Sequence, residues 1–441
     1  MIKKLLFSAT LMSALLISKA QNMDKCATMP AYHLQMQNAQ SKSMLMQADL
    51  LAKNWLANPV NKANALKQQN TVITIPVVVH VVYKNAVQNI PDSQIVRQIN
   101  ILNECYRKLN ANYAHVRPEF DSLGADIEIQ FCLAATDTLG NPTTGIVRKS
   151  APSNAGFDPI LNMDKVKSSA TNGDDPWPND KYLNIWVCDM SIFGNVFVLG
   201  YATFPGTSPA LDGVVIQSEY FGYGVGAVAT SNLGKTAVHE IGHFFGMRHI
   251  WADDDNGGSG SQCDSTDFVD DTPNQAAKSQ TDCNFTINSC SNESSFWGTI
   301  DPPDMVENYM DYSSDSCMAM FTKGQKARMY SYINTDPARM SLATSPVGCS
   351  TVGLPEIKNN FSDYVFVYPN PAGEAFHLNL TKVIPQNLVC EIYNSNGQLV
   401  STMSQLDFQN IINTSNLSNG LYLVKVYNSE MSTVKKITVS K

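Results

Sequence analysis

One twelve-residue run, Val238 to His249, restricts this chain more than anything else in it. It reads Val-His-Glu-Ile-Gly-His-Phe-Phe-Gly-Met-Arg-His, with histidines at 239, 243 and 249, a glutamate at 240 and a glycine at 246. On a helix, His239 and His243 stand about one turn apart, roughly 6 Å along the axis, so both imidazoles can meet one ion. Gly246 tolerates positive φ, so the helix can stop there and the chain can turn back to deliver His249. Neutral imidazoles suit Zn²⁺, and three protein ligands leave a fourth position open for water. Glu240, one residue past the first ligand, can reach that water as a general base. Three of the chain's seven histidines lie in this run, so a helix with incidental histidines is a poor reading of it. The fold must therefore bring a helix and the turn after it to the floor of an open cleft.

The N-terminus reads as an export signal over residues 1–20. Lys3 and Lys4 precede an apolar stretch from Leu5 to Ile17, and Ser18-Lys19-Ala20 offers small residues for cleavage. That stretch is too short to span a bilayer, and no later one approaches the ~20 apolar residues a membrane helix needs. Export places the ten cysteines where disulfides persist. A net charge of −8 argues against a nucleic-acid binder, which would present a basic face.

Residues 21–71 are rich in Gln, Asn, Ala, Lys and Met, favour helix from Ser43 to Ala57, and read as a propeptide. At Val72 the composition changes to a β-branched run ending at Tyr83, which predicts a buried strand and the start of a catalytic domain over 72–340. A helix from Asp92 to Asn110 follows, with Ile95, Ile99, Leu102 and Cys105 at helical spacing. Short strands are predicted over Ile127–Leu133, Tyr182–Asp189, Leu199–Phe204 and Gly213–Gln217, then helices over Leu233–Gly246 and Lys323–Asn334. This order predicts an α+β fold: a mixed sheet, a backing helix and an active-site helix. Residues 341–362 read as a linker, and 363–441, with short alternating segments between turns, as a small β-sandwich.

From Val72 to Asn334 the chain resembles the pappalysin family of metzincin zinc metallopeptidases. The likeness rests on the Ile73–His80 strand, the extended histidine motif followed by Ile250-Trp251, and Asn308-Tyr309-Met310-Asp311-Tyr312. It implies a secreted endopeptidase with Met310 as a structural support beneath the metal and Tyr312 near the open coordination position. It also implies disulfides Cys263–Cys290 and Cys283–Cys317, where four cysteines alone would allow three pairings. The oxygen-rich loop from Asp264 to Thr272 would, by the same likeness, bind Ca²⁺ through Asp267, the Val269 carbonyl and Thr272, with Asp253 a further candidate. Cys26 in Lys25-Cys26-Ala27-Thr28 matches a cysteine that ligates zinc in a latent precursor. Family members that cleave before arginine or lysine carry an acid just before the cysteine that follows Met310. Ser316 stands there, with Asp315 one place earlier, so a broad substrate range is expected and Asp315 is the residue that could restore a basic preference.

Val367-Tyr368-Pro369-Asn370-Pro371 and Leu417-Ser418-Asn419-Gly420-Leu421-Tyr422 resemble the type A sorting domain of the type IX secretion system. That implies passage through the periplasm to the cell surface or beyond, with the secretion machinery as partner. The competing function is a zinc-binding surface or adhesion protein without turnover. Glu240 weighs against it, because a structural zinc site needs no base and closes its fourth position with protein.

Overall fold

The structure, a computed structural model, describes residues 25–67, 72–192, 194–223, 229–253, 262–279, 283–291, 294–349, 364–380, 388–404, 406, 409–427 and 432–441. The export signal over 1–20 lies outside the described residues. Two compact units emerge, Met1–Gly353 and Leu354–Lys441.

Strand β1 (Ile73–Tyr83) organises the first unit. Its Val/Ile run is buried almost throughout because it has parallel partners on both edges. Along one edge β2 (Ile129–Leu133) pairs with Ile73–Val77 and β3 (Ile146–Ser150) with Val79–Tyr83; along the other, β4 (Leu183–Cys188) pairs with Val77–Val81. β3 escapes a hydrophobicity reading because its last three residues are exposed. His80, inside β1, is tied to Asp174 at 2.7 Å and Asn184 at 3.0 Å, which makes it a structural histidine. Beyond β4 lies β6 (Val214–Gln217), and the edge is β5 (Gly200–Ala202), the one antiparallel strand of this sheet.

The backing helix α4 spans Asp92–Tyr106 and buries Ile95, Ile99, Leu102, Cys105 and Tyr106. It stops four residues short of the predicted Asn110 because Arg107 leaves helical geometry and Lys108 takes a φ of 52°. Before the sheet come three helices: α1 (Thr28–Met36), which packs on β5, and α2 (Ala39–Ala57) and α3 (Pro59–Leu66), which pack on the helix over Lys323–Ile333. Asn38 caps α2 by accepting from the backbone of Gln40 and Ser41 at 3.0 Å. The active-site helix α5 (Lys235–Phe244) begins at Gly234, with φ 73°, and is followed by Gly246, with φ 88°. Helices α6 (Lys323–Ile333) and α7 (Pro337–Ala343) close the unit.

The first unit reaches past the predicted boundary at 340. α7 continues to Ala343, and a Cys132–Cys349 disulfide fastens the following chain to the end of β2. The bonds Cys263–Cys290 and Cys283–Cys317 are also present, while Cys26, Cys105, Cys188 and Cys390 are free and buried.

The second unit consists of two antiparallel sheets: β10-β9-β12-β13 (Leu399–Met403, Val389–Asn394, Gly420–Tyr427, Ser432–Val439) and β11-β8-β7 (Gln409–Asn413, Ala375–Leu380, Val365–Tyr368). Their inward residues, among them Phe376, Leu378, Ile392, Val424 and Ile437, share one core. Among the described residues no helix is long and apolar enough to cross a membrane.

Candidate metal centre and its cover

His239 and His243 lie on one face of α5, and the turn at Gly246 returns His249 to the same point. The three Nε2 atoms stand 3.1 Å from one another. Each Nδ1 is engaged elsewhere: His239 with the Tyr309 carbonyl at 2.7 Å, His243 with the Met247 carbonyl at 2.7 Å, and His249 with Asp253 Oδ1 at 2.5 Å. All three partners are acceptors, so each Nδ1 donates and each Nε2 offers a lone pair. Burial, followed by the neighbouring His249, lowers His239 to about 3 and pushes His243 well below its usual value. Three buried, neutral imidazoles therefore aim lone pairs at one point, which is repulsive unless a cation sits between them. The donor set fits a metal.

Cys26 supplies a fourth donor, and the four ligand atoms lie within 4.8 Å of one another. Burial, then the adjacent Glu240 carboxylate, raises the Cys26 thiol well above its usual range, so without a cation it stays protonated. Glu240 Oε2 accepts from the Thr28 hydroxyl at 2.9 Å and lies 3.4 Å from Cys26 Sγ. Its Oε1 is buried with no hydrogen-bond partner among the described residues, and burial pushes the carboxyl up to about 8.

Backbone geometry explains how Cys26 arrives there. Residues 25–27 lie along β5: Cys26 and Gly200 form a parallel bridge, Leu199 N donates to Lys25 O at 2.7 Å, and Ala27 N donates to Gly200 O at 3.0 Å. Gly200 must be glycine for this, since a Cβ would lie 2.9 Å from Glu240 Cγ. Thr28 Oγ1 also accepts from Ala202 N at 2.8 Å, fixing the hydroxyl against both strand and carboxylate.

Beneath the cluster, Met310 is fully buried, and its Sδ lies 2.4 Å from where a Cβ on Gly242 would be. Tyr312 leans on the His249 and His239 rings, with centroids at 5.0 and 5.7 Å, and its hydroxyl contacts the Cys26 backbone N at 3.3 Å. Two arginines hold the carbonyls at the end of α5: Arg339 Nε donates to Phe244 O and Arg328 Nε to Gly246 O, both at 2.9 Å.

A pocket beside Glu240 is lined by Ser231, Lys235, Tyr312, Asp315 and Met318, and it receives Lys25. The Lys25 ammonium lies 3.4 Å from Ser231 Oγ and 3.4 Å from the Tyr312 carbonyl, facing the Asp315 and Asp311 carboxylates. Asp315, pushed up to about 6 by burial, thus lines the pocket, whereas Ser316 turns to Ser314 and Cys283.

Of the oxygen-rich loop, Asp267, Val269 and Thr272 come together: Thr272 Oγ1 lies 2.9 Å from Asp267 Oδ2 and 2.9 Å from the Val269 carbonyl. Asp253 belongs elsewhere. Both of its oxygens face His249, one on Nδ1 and one 3.1 Å from the backbone N, so it orients a histidine and is not part of this cluster of oxygens. Asp271 accepts from Thr322 Oγ1 and Gly324 N at the start of α6. Reading the sequence overlooked Thr28 and Lys25; their only signal is adjacency to Cys26.

Residues 167–334 match the family described as pregnancy-associated plasma protein-A, and residues 366–440 match a secretion system C-terminal sorting domain. An extracellular metalloprotease of Pyricularia oryzae is 33% identical over 273 residues, covering 60% of this chain and 77% of the relative. One from Arthroderma otae is 31% identical, covering 58% of this chain and 76% of the relative. Among solved structures, mature mirolysin of Tannerella forsythia in complex with a cleaved peptide is 42% identical, with a TM-score of 0.55, covering 62% of this chain and 97% of that one. A promirolysin mutant from the same organism is 36% identical, with a TM-score of 0.57, covering 73% of this chain and 97% of that one.

Proposed function

Because the chain belongs to the pregnancy-associated plasma protein-A family of secreted metallopeptidases, we propose that it is a zinc endopeptidase made as a latent precursor. His239, His243 and His249 hold the ion, and Glu240 is the general base. The observation that carries this reading is the convergence of three Nε2 lone pairs at 3.1 Å beside a carboxylate. Tetrahedral zinc at its usual bond length to imidazole would separate such nitrogens by about 3.3 Å. When bound, zinc polarises a carbonyl and makes a water more acidic.

The remaining work falls to the chain itself. Glu240 accepts the proton of the attacking water and returns it to the leaving amine. β5 offers its edge to an extended peptide in place of residues 25–27. The Tyr312 hydroxyl, now on the Cys26 backbone, becomes available to the substrate carbonyl. The pocket that holds Lys25 suits a basic side chain, through Asp315 and Asp311.

Residues 21–71 serve as the propeptide and 72 onward as the catalytic part, with Cys26 closing the fourth coordination position. The oxygens of Asp267, Val269 and Thr272 are proposed as a structural calcium site. Residues 363–441 act as the address read by the type IX secretion machinery, with 1–20 as the export signal and 341–362 as the connection. Hydrolysis of casein or gelatin by the activated protein, with Glu240→Ala as control, tests the proposal. Turnover that survives the substitution, or its absence from both, overturns it.

A further inference from the structure

The pro-segment covers more than the metal cluster. Past Ala27 it leaves β5 and turns into α1, whose Met29 and Tyr32 reach Arg248, the residue before His249. The Arg248 guanidinium lies 4.3 Å from the centroid of the Phe204 ring, and Phe204 in turn packs edge-on against His243 at 5.6 Å. In the precursor this arginine is met by Met29 Sδ at 3.1 Å and by the Tyr32 ring at 4.5 Å. A carboxylate faces the same place: Asp49, on α2, stands 4.0 Å from Arg248 Nη2 and 3.5 Å from Arg328 Nη2, and it accepts from the Tyr332 hydroxyl. Arg328 and Tyr332 are themselves joined at 3.1 Å, so two of the three groups are held together on α6. Arg248, Arg328 and Tyr332 are all buried, while Asp49 is 42% exposed.

We infer that Arg248, Arg328 and Tyr332 form a subsite for a substrate carboxylate, occupied in the precursor by Asp49. The inference rests on the proposed removal of residues 21–71 at activation. Its position follows from the pro-segment: Lys25, just before Cys26, fills the pocket, and Met29, three residues after Cys26, meets Arg248. A substrate strand on β5 therefore presents one flank to the Lys25 pocket and the opposite flank to these arginines. The subsite selects aspartate or glutamate on that second flank, a few residues from the scissile bond. One Nη2 from each of two guanidinium groups and a phenol hydroxyl converge on the Asp49 carboxylate, and the Phe204 ring packs against the Arg248 guanidinium.

Peptides that share one cleavage site and differ only in an Asp, Asn or Lys scanned across both flanks test this with the activated enzyme. The Asp peptide should be cut about tenfold better than the Lys peptide at one or two positions on a single flank, the scale of one charge-assisted hydrogen bond. The advantage should act through KM and shrink with added salt. Arg248→Gln and Tyr332→Phe, the latter keeping the ring, should each reduce the Asp-to-Asn ratio. Equal kcat/KM for all three peptides at every position, or a ratio unchanged in both variants, overturns the inference. Binding of the same peptides to Glu240→Ala protein, freed of its pro-segment by an added protease, reads the subsite without turnover. A preference for Asp there with no cleavage by the parent would sink the catalytic reading and leave the subsite standing; no preference would sink the subsite alone.

Discussion

Thr28 places a hydroxyl 2.9 Å from Glu240 while accepting from the backbone of Ala202, so one side chain both engages the proposed general base and pins residues 25–28 to the sheet. Cys26 addresses the metal position instead. The proposed latency therefore has two separable contacts. A Thr28→Val precursor loses a buried hydrogen bond to a carboxylate, about 1–3 kcal/mol, and should activate roughly tenfold faster or more. It should still hold its metal through Cys26. Cys26→Ala should give the larger loss of latency, so the two variants differ in metal coordination as well as in rate. Activation followed by peptide hydrolysis, beside absorption spectroscopy of cobalt-substituted precursors, checks both; a Thr28→Val precursor as latent as the parent removes the second contact. At this scale the sequence was legible wherever spacing carries chemistry. His239, His243, His249 and Glu240 announce themselves because one turn of helix and one glycine bring them together. Thr28 and Lys25 did not, because their partners lie 212 and 287 residues away and no local pattern marks either contact.

Helix α5 depends on Gly242 within it and on Arg339 and Arg328, which hold the carbonyls at its end. A Cβ at 242 would sit 2.4 Å from Met310 Sδ, so the helix can approach the Met310 turn only with hydrogen there. Gly242→Ala should cost about 1–3 kcal/mol through overpacking. It should also lower metal retention, because the shift moves His239 and His243; chemical denaturation and metal analysis measure the two effects. The loop from Asp267 to Thr272 makes a pH-dependent prediction. Burial pushes the Asp267 carboxyl up to about 8, above its unfolded value of about 3.9, so cation-free stability falls as pH rises through that window. Calcium needs the carboxylate, so the melting temperature gained on adding calcium should grow between about pH 5 and about pH 8. A gain independent of pH, or no gain at all, contradicts calcium binding there. The predicted helix and strand positions match because their apolar periods are strong. Their ends moved where a backbone turn decided: Lys108 at positive φ closes α4, and Gly234 opens α5.

Across the whole molecule, export and catalysis are divided between two units. The first ends beyond the catalytic helices, since Cys132–Cys349 ties residue 349 back to the sheet across 217 residues of sequence. No spacing rule could have paired those two cysteines; the bond follows from the tertiary fold, which sets Ala134 beside Cys349. The sandwich was legible from its turn residues, and β3 was not, because half-exposed pairing to one end of β1 leaves little apolar signature. Deleting residues 363–441 should retain the precursor in the periplasm while leaving the first unit folded, with its three disulfides intact. Cell fractionation and thiol counting distinguish this from a folding defect, and normal export of the shortened chain would contradict the sorting role. The account as a whole depends on zinc at three imidazoles beside a working carboxylate. The most direct test is zinc content and gelatin hydrolysis measured together on the activated parent and on Glu240→Ala freed of its pro-segment. One zinc per chain in both, with activity lower in the variant by roughly 10²–10⁴-fold, is the predicted result. Substoichiometric zinc in the parent, or equal hydrolysis by the two proteins, would contradict it.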